Sequence, residues 1–258
     1  MGTLDGHHAL VTGGGSGIGA AIARALSAEG AALSLVGRRP GPLKEVAASL
    51  PRATVIRADI TREDDCASMI ASARAAHGPL DIVIANAGAA ESAPAAKTEM
   101  ALWQRMIDVN LTGAFLTARF ALDDLCRAAD TPPRSRRIIF VASTAGLKGY
   151  PYVAAYCAAK HGVVGLARAL GTELSSKSVT VNAVCPGFTE TPLLEASIAN
   201  IIAKTGLTEA AARAELSHSN PQGRFITADE VAATVAFLAS PAASAITGQA
   251  ISISGGET

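Results

Sequence analysis

Short runs of consecutive apolar residues alternate along the chain with longer stretches in which apolar positions recur every three or four residues. The runs fall at 8–12, 31–37, 54–59, 81–87, 137–143, 179–185 and 249–254. Apolar runs of this length, without strict alternation of apolar and polar positions, mark strands covered on both faces. The stretches of helical period fall at 18–29, 63–77, 100–128, 152–175 and 229–240. Thr227, with Glu230 three residues on, gives the last of these a capping-box start. Seven strands separated mostly by helix-length segments predict βαβ crossovers, and hence one α/β domain with a seven-stranded parallel sheet and helices on both faces. Residues 190–224, between the sixth strand and the last main helix, break the rhythm and look helical but less regular. An excursion of that length at the carboxyl end of a sheet is where a substrate lid would sit.

Composition narrows the classes. The 258 residues are 49% hydrophobic and 17% charged, rich enough for one large core and too apolar for disorder. Lys and Arg number 22, as do Asp and Glu, so the formal net charge is zero. That balance argues against nucleic-acid binding, which needs surplus, clustered cations. No charged residue occurs from Val231 to Gly256. Pro241, Gly248 and repeated Ser and Thr interrupt this stretch, so it reads as helix, turn and buried strand rather than as a membrane span. The cysteines Cys66, Cys126, Cys157 and Cys185 form no CxxC pair, which suggests neither a metal site nor a disulfide framework and fits a reducing, cytoplasmic setting. The opening MGTLDGHHALVTGG has no basic-then-apolar signal pattern. Aromatics make up 4%, yet all three tyrosines, Tyr150, Tyr152 and Tyr156, share one short window.

The first strand runs directly into GGGSGIG and then into an amphipathic stretch. Glycines at a strand-to-helix turn let backbone approach a pyrophosphate, whose charge is stabilised by free N–H groups at the helix start. The cradle residues are Gly13, Gly15, Ser16, Gly17, Ile18 and Gly19, with the spacing TGxxxGxG rather than GxGxxG. The second strand ends in Gly37, where many NAD-selective sheets carry an acid, and Arg38 and Arg39 follow. An arginine there accommodates a ribose 2′-phosphate, so NADP(H) is favoured over NAD(H). Two solvated side chains at a strand end are the other reading of this pair. Asp59, with Ile60 after it, ends the third strand and could accept from an adenine amino group or cap the next helix. Asn86, Ala87 and Gly88 offer a small-residue surface for a flat adenosine.

Tyr156 and Lys160 are four apart on a helical stretch and so share a face. A phenol with a pKa near about 10 is a poor acid-base catalyst at neutral pH. An ammonium beside it favours the phenolate and lowers that pKa, so the pair could pass a proton to or from an alcohol or carbonyl oxygen. Ser143 ends the fifth strand and could donate to the same oxygen. No GxSxG surrounds it, which argues against serine-hydrolase chemistry. Read alone, Asn110 would be a buried amide tying elements together and Ser143 a strand-end cap.

TGGGSGIG at 12–19, Asp59, NAG at 86–88, Asn110 in DVNLTG, Ser143, YCAAK at 156–160 and PGFTET at 186–191 follow one another in this order. Together they resemble the short-chain dehydrogenase/reductase family, in its branch made of a single Rossmann domain, over nearly the whole chain. The resemblance implies an oxidoreductase that moves a hydride between a nicotinamide cofactor and a small-molecule carbonyl or secondary alcohol. It implies Tyr156 as general acid-base residue, Ser143 orienting the substrate oxygen, and Lys160 both holding the nicotinamide ribose and perturbing Tyr156. Asn110 would support a water connecting Lys160 to solvent, and Pro186, Gly187, Thr189 and Thr191 would hold the nicotinamide carboxamide. Ala85 departs from the family's usual Asn in NNAG, which would loosen local packing without touching a catalytic role. A homotetramer is also implied, with stretches 100–128 and 152–175 pairing across one interface and the uncharged C-terminal helix and strand forming another, as suits a charge-depleted interface core. A non-catalytic nucleotide-binding regulator would be expected to lack Tyr156 or Lys160, and both are present.

A narrower resemblance, in VTVNAVCPGFTETPLLE, AAYCAAKHGVVGLARALGTEL and NPQGRF, is to 3-oxoacyl thioester reductases, polyketide ketoreductases and 3-hydroxybutyrate dehydrogenases. It implies a 3-oxoacyl or 3-hydroxyacyl substrate, a CoA thioester among the candidates, with other secondary alcohols or ketones as the alternative. Lys97, Lys148, Lys204 and Arg224 are the candidate anion handles, each also readable as a solvated surface charge. Tyr150 and Tyr152 match no invariant role and read as pocket wall or packing.

Overall fold

The computed structural model describes residues 2–127 and 135–258. Its strands are β1 His8–Thr12, β2 Ala32–Gly37, β3 Ala53–Arg57, β4 Ile82–Ala85, β5 Arg136–Val141, β6 Val179–Pro186 and β7 Ala250–Ile253. All pair in parallel, in the order β3-β2-β1-β4-β5-β6-β7. The helices are α1 Gly17–Ala28, α2 Pro40–Ala47, α3 Glu63–His77, α4 Met100–Ile107, α5 Gly113–Leu125, α6 Ala154–Leu174, α7 Pro192–Thr205, α8 Glu209–Ser217 and α9 Ala228–Ala239. No described helix is long and apolar enough to cross a membrane.

Each central strand feeds two cores. Leu10 of β1, Val83 and Ala85 of β4, and Ile138 and Phe140 of β5 pack under α3, α5 and α6. Their neighbours Ala9, Val11, Ile82, Ile84, Ile139 and Val141 pack under α1, α2 and α9 on the other face. Successive side chains of a strand point to opposite faces, so helices on both sides demand an unbroken apolar run. This Rossmann-like sheet reverses its winding between β1 and β4, and the crevice beyond their carboxyl ends is where ligands bind in such folds.

Several expected elements end sooner. The runs at 54–59, 81–87 and 137–143 stop pairing at Arg57, Ala85 and Val141, so Asp59, Asn86, Ala87 and Ser143 lie in the loops beyond the strands. The stretch at 100–128 is two α-helices joined by a wide π-helical turn, Asp108–Thr112, and it ends at Leu125; Ala128 lies outside the described residues. The helix expected from Tyr152 begins at Ala154, because Tyr152 has φ 67°, outside helical backbone. The short α2 was not anticipated, since PGPLKEVA carries two prolines and a glycine. Proline is tolerated in a helix's first turn, and burial of Leu43 and Val46 holds this helix to the sheet. Residues 190–224 hold α7 and α8, which share a small core of Leu194, Ile198, Ala212 and Phe225.

Helix α9 is fastened at both ends. Thr227 Oγ1 accepts from Glu230 N–H (3.2 Å) while a Glu230 carboxylate oxygen accepts from Thr227 N–H (2.8 Å). At the other end the buried Arg137 of β5 donates to the carbonyls of Leu238 (3.2 Å) and Ser240 (3.1 Å), and burial lowers its pKa to about 10. Thr227→Ala should therefore cost about 1 kcal/mol. That corresponds to a melting temperature roughly 2–4 °C lower. Differential scanning calorimetry checks it, and an unchanged melting temperature contradicts the capping box as a stabilising contact.

Candidate active site

The crevice floor is set by hydrogen bonds between β1 and the loop after β4. Thr12 Oγ1 donates to the Ile84 carbonyl (3.3 Å) and accepts from the N–H groups of Asn86 (3.0 Å) and Ala87 (3.1 Å). Asn86 Nδ2 donates to the carbonyls of Thr12 (2.8 Å) and Gly13 (3.4 Å). The Asn86 side chain is thus spent on joining two strand ends. Ala85, in place of the usual Asn, is buried in the sheet core and brings no further polar group to satisfy.

Helix α1 rises directly from this floor. A Cβ on Gly19 would stand 2.3 Å from the Gly13 carbonyl oxygen and 2.5 Å from Asn86 Nδ2, so only glycine lets the helix settle on the turn. Gly13 itself has φ +66°. Ser16 starts the helix without a side-chain cap, and the first turn holds no acidic residue. A helix start left in this way, with N–H groups that no side chain caps, suits an anion such as a pyrophosphate.

A cleft of about 300 Å³ runs from this turn along the sheet edge. One part is walled by Gly13, residues 15–19, Arg38, Arg39, Asp59 and Ile60, and the rest by Asn86, Ala87, Gly88, Asn110, Tyr156, Lys160 and Thr191. Asp59 accepts from the Thr61 N–H (3.1 Å) and hydroxyl (2.8 Å), and α3 starts after Arg62, so Asp59 braces the turn before the helix instead of capping it. Burial alone would raise the pKa of Asp59; the Thr61 bonds and the charges of Arg38 and Arg62 outweigh it and hold the carboxyl below its ordinary value.

On α6, Tyr156 and Lys160 stand one turn apart. Lys160 is buried and its Nζ donates to the Val141 carbonyl (2.8 Å), 5.6 Å from the Tyr156 ring centroid. Burial pushes the Tyr156 phenol up to about 12, against a hydrogen bond with Ser143 that lowers it. Burial likewise pulls Lys160 down to about 8. The expected lowering of the phenol by its lysine is therefore not what the protein alone displays: the ammonium serves a backbone carbonyl, and loss of water dominates both groups.

Asn110 sits in the π-helical turn with its amide committed to backbone. Its Nδ2 donates to the carbonyls of Ala89 (2.9 Å) and Met106 (3.1 Å), and its Oδ1 accepts from the Ala89 N–H (3.3 Å). Ser143 Oγ accepts from the Ala145 N–H (3.1 Å), and so caps a short turn as well as meeting Tyr156. Beyond β6, the Gly187 N–H donates to the Ile253 carbonyl (3.0 Å), Thr189 Oγ1 to Gly187 (2.9 Å) and Thr191 Oγ1 to Thr189 (3.1 Å). Of this segment Thr191 lines the cleft, whereas Pro186, Gly187, Thr189 and also Ser143 stand outside its lining.

Leu43 of α2 and Leu193 of α7 join the cleft wall without having been singled out. Thr191 followed by Pro192 is a helix-start pattern that could have found the second; the breakers in PGPLKEVA hid the first. Among the proposed anion handles, Lys148 pairs with Glu257 (3.0 Å), Arg224 forks onto Glu230 (2.9 and 2.6 Å), and Lys204 donates to the Ser92 carbonyl (3.3 Å). Lys97 is exposed. Neither Tyr150 nor Tyr152 lines the cleft: the Tyr150 hydroxyl bonds Thr144 and Glu257, and Tyr152 is 64% exposed.

Known proteins resemble this chain over nearly all of its length. The sequence model of the family described as enoyl-(acyl carrier protein) reductase matches residues 13–258. A D-beta-hydroxybutyrate dehydrogenase of Rhizobium meliloti is 37% identical, over 97% of this chain and 98% of the relative. An actinorhodin polyketide ketoreductase variant solved with NADPH superposes with a TM-score of 0.91 at 35% identity, covering 100% of this chain and 99% of that one. A 3-ketoacyl-(acyl-carrier-protein) reductase of Brucella melitensis complexed with NADH gives a TM-score of 0.88 at 32% identity, covering 98% and 99%. With a glycine turn under α1 and a tyrosine–lysine pair in one crevice, and relatives of this kind along its whole length, the chain belongs to the short-chain dehydrogenase/reductase family of enzymes, which use a nicotinamide cofactor to interconvert carbonyls and secondary alcohols.

Proposed function

We propose that this oxidoreductase acts on a 3-oxoacyl or 3-hydroxyacyl substrate, prefers NADP(H), and uses Tyr156 as its general acid-base residue. The observation that carries the reading is the Tyr156–Lys160 pair of α6 on the wall of the cleft that begins at the α1 glycine turn. When bound, the cofactor supplies or accepts the hydride. The free N–H groups at the start of α1 hold its pyrophosphate, and Lys160 binds the nicotinamide ribose. Residues Pro186, Gly187, Thr189 and Thr191 hold the carboxamide. Arg38 and Arg39, at one end of the cleft, receive a 2′-phosphate. In reduction the Tyr156 phenol gives its proton to the carbonyl oxygen as the carbonyl carbon takes the hydride, while Ser143 donates to the same oxygen. Lys160 returns a proton to the phenolate, and Asn110 supports a water that connects Lys160 to solvent. The α7–α8 segment covers the substrate as a lid, and the whole is one Rossmann domain over residues 1–258. The working form is a homotetramer, and four free cysteines suit a reducing compartment such as the cytoplasm.

The substrate class is supported by the relatives named 3-ketoacyl reductase and beta-hydroxybutyrate dehydrogenase, whose names place the reacting oxygen β to an acyl carbonyl. A second reading, another secondary alcohol or ketone without an anionic carrier, is favoured by one observation: Lys148, Lys204 and Arg224 are already engaged within the protein. Absorbance assays of NADPH and NADH oxidation over a panel of 3-oxoacyl thioesters, free 3-oxo acids and simple ketones separate the two. Turnover of simple ketones alone sinks the acyl assignment.

Replacing Tyr156 by Phe should lower kcat by about 10²-fold or more while the cofactor dissociation constant stays near that of the wild type. Unchanged turnover removes Tyr156 from its role. Arg38→Ala should weaken NADPH binding by about tenfold, some 1.4 kcal/mol, and leave NADH little affected. Equal losses, read by fluorescence titration, eliminate Arg38 as the phosphate ligand. Because burial favours the neutral phenol, the oxidation direction, which needs phenolate, should accelerate as pH rises, and the reduction direction should slow as pH approaches the phenol's pKa. Parallel pH–rate profiles in both directions contradict that sign.

A further inference from the structure

The side chain of Glu257 is 1% exposed. Burying a carboxylate costs stability unless it is paired, and an apolar side chain would fill the same corner at less cost. Glu257 Oε1 accepts from the Tyr150 hydroxyl (2.5 Å) and forms an ion pair with Lys148 Nζ (3.0 Å). The Tyr150 hydroxyl also bonds Thr144 Oγ1 (2.7 Å), the residue next to Ser143. The Tyr150 ring packs edge-on against Phe188, centroids 6.1 Å apart, in the loop that leaves β6 after Gly187. The other carboxylate oxygen has no hydrogen-bond partner among the described residues and lies 3.2 Å from where a Cβ on Gly187 would stand.

The chain behind this glutamate closes against the lid. A Cβ on Gly255 would stand 2.1 Å from Asn220 Oδ1, and Asn220 itself holds the turn that ends the α7–α8 segment, donating to the Arg224 carbonyl (2.7 Å) and accepting from the Gln222 N–H (2.8 Å). The C-terminal tail thus touches the loop after β5, the loop after β6 and the base of the lid segment, and Glu257 is its one charged contact with the first of these.

We propose that Glu257 is a positioning residue: acting through Tyr150 and Lys148, it latches the C-terminal tail to the Ser143 and Phe188 loops and so fixes the substrate side of the site, away from the α1 glycine turn and Arg38. The proposal rests on the placement of Ser143 beside the reacting oxygen given above. Without the latch, the 144–150 loop is released and substrate is held less well, while the distant glycine turn and Arg38 are unaffected.

The test compares wild type with Glu257→Leu, Glu257→Gln, Tyr150→Phe and the Glu257→Leu/Tyr150→Phe double variant. Steady-state kinetics use whichever panel ketone the wild type reduces, with NADPH affinity by fluorescence titration. For Glu257→Leu we expect KM for the ketone to rise about tenfold, and both kcat and the NADPH dissociation constant to change far less. Glu257→Gln, which still accepts from Tyr150, recovers part of the loss. The double variant should be no worse than Glu257→Leu alone, since coupled residues are non-additive. Amide hydrogen exchange should quicken at 146–148 and 187, and remain unchanged at 13–19. Fully additive losses, an unaltered KM, or exchange that quickens equally throughout overturn the latch. Should Glu257→Leu fail to fold, Tyr150→Phe, which deletes a single oxygen, carries the same kinetic and exchange readouts. If the wild type reduces no ketone, the functional reading falls, and the exchange measurement alone still decides whether the latch exists.

Discussion

The site depends on two strand ends being held at a fixed distance. Thr12 and Asn86 accomplish this with five hydrogen bonds across the point where the sheet reverses its winding, and none of the five needs a ligand. The bonds place the Gly13 carbonyl and the Asn86 amide where Gly19 must have no side chain, which in turn sets how deeply the start of α1 enters the crevice. A loose junction here would cost the cradle its preorganised N–H groups, because a helix start holds an anion only if it is already aimed at one. The apolar sheet beneath matters to function chiefly because it leaves this junction no freedom.

Burial has opposite consequences for the two groups of α6. It drives Tyr156 toward the neutral phenol, up to about 12, and Lys160 toward the neutral amine, down to about 8. Burial therefore favours the uncharged form of both side chains. Lys160 rests on the Val141 carbonyl, and Asn110 ties the π-helical turn to the loop at Ala89, so both polar groups stand around Gly88 with defined partners. The widened turn is what lets the Asn110 amide reach a neighbouring loop from the middle of an otherwise continuous helix.

The sheet was legible because burial on both faces leaves a coarse imprint, an unbroken apolar run, that survives in a single sequence. The glycine turn and the Tyr156–Lys160 spacing were legible because each needs a residue type with no easy substitute: no side chain at 19, and a phenol and an amine one turn apart. Strand ends were harder to place. Asp59, Asn86 and Ser143 follow apolar residues without a break in pattern, and only the last ladder bond shows that they sit in loops. Helix α2 stayed hidden because two prolines and a glycine are poor helix formers except in a first turn. Glu257 gave no signal, since a lone glutamate is ordinarily solvated and its partners lie over a hundred residues away. The same distance hid the fate of Lys148 and Tyr150, which looked like candidates for substrate contact and prove to be engaged with that glutamate.

A crystal structure of the protein with reduced cofactor and an unreactive analogue of the ketone it reduces would test the role of Tyr156 most directly. The analogue's oxygen should lie within about 2.6–3.2 Å of both the Tyr156 phenol and the Ser143 hydroxyl. An analogue oxygen turned away from Tyr156, with the nicotinamide still seated beside Lys160, would contradict it.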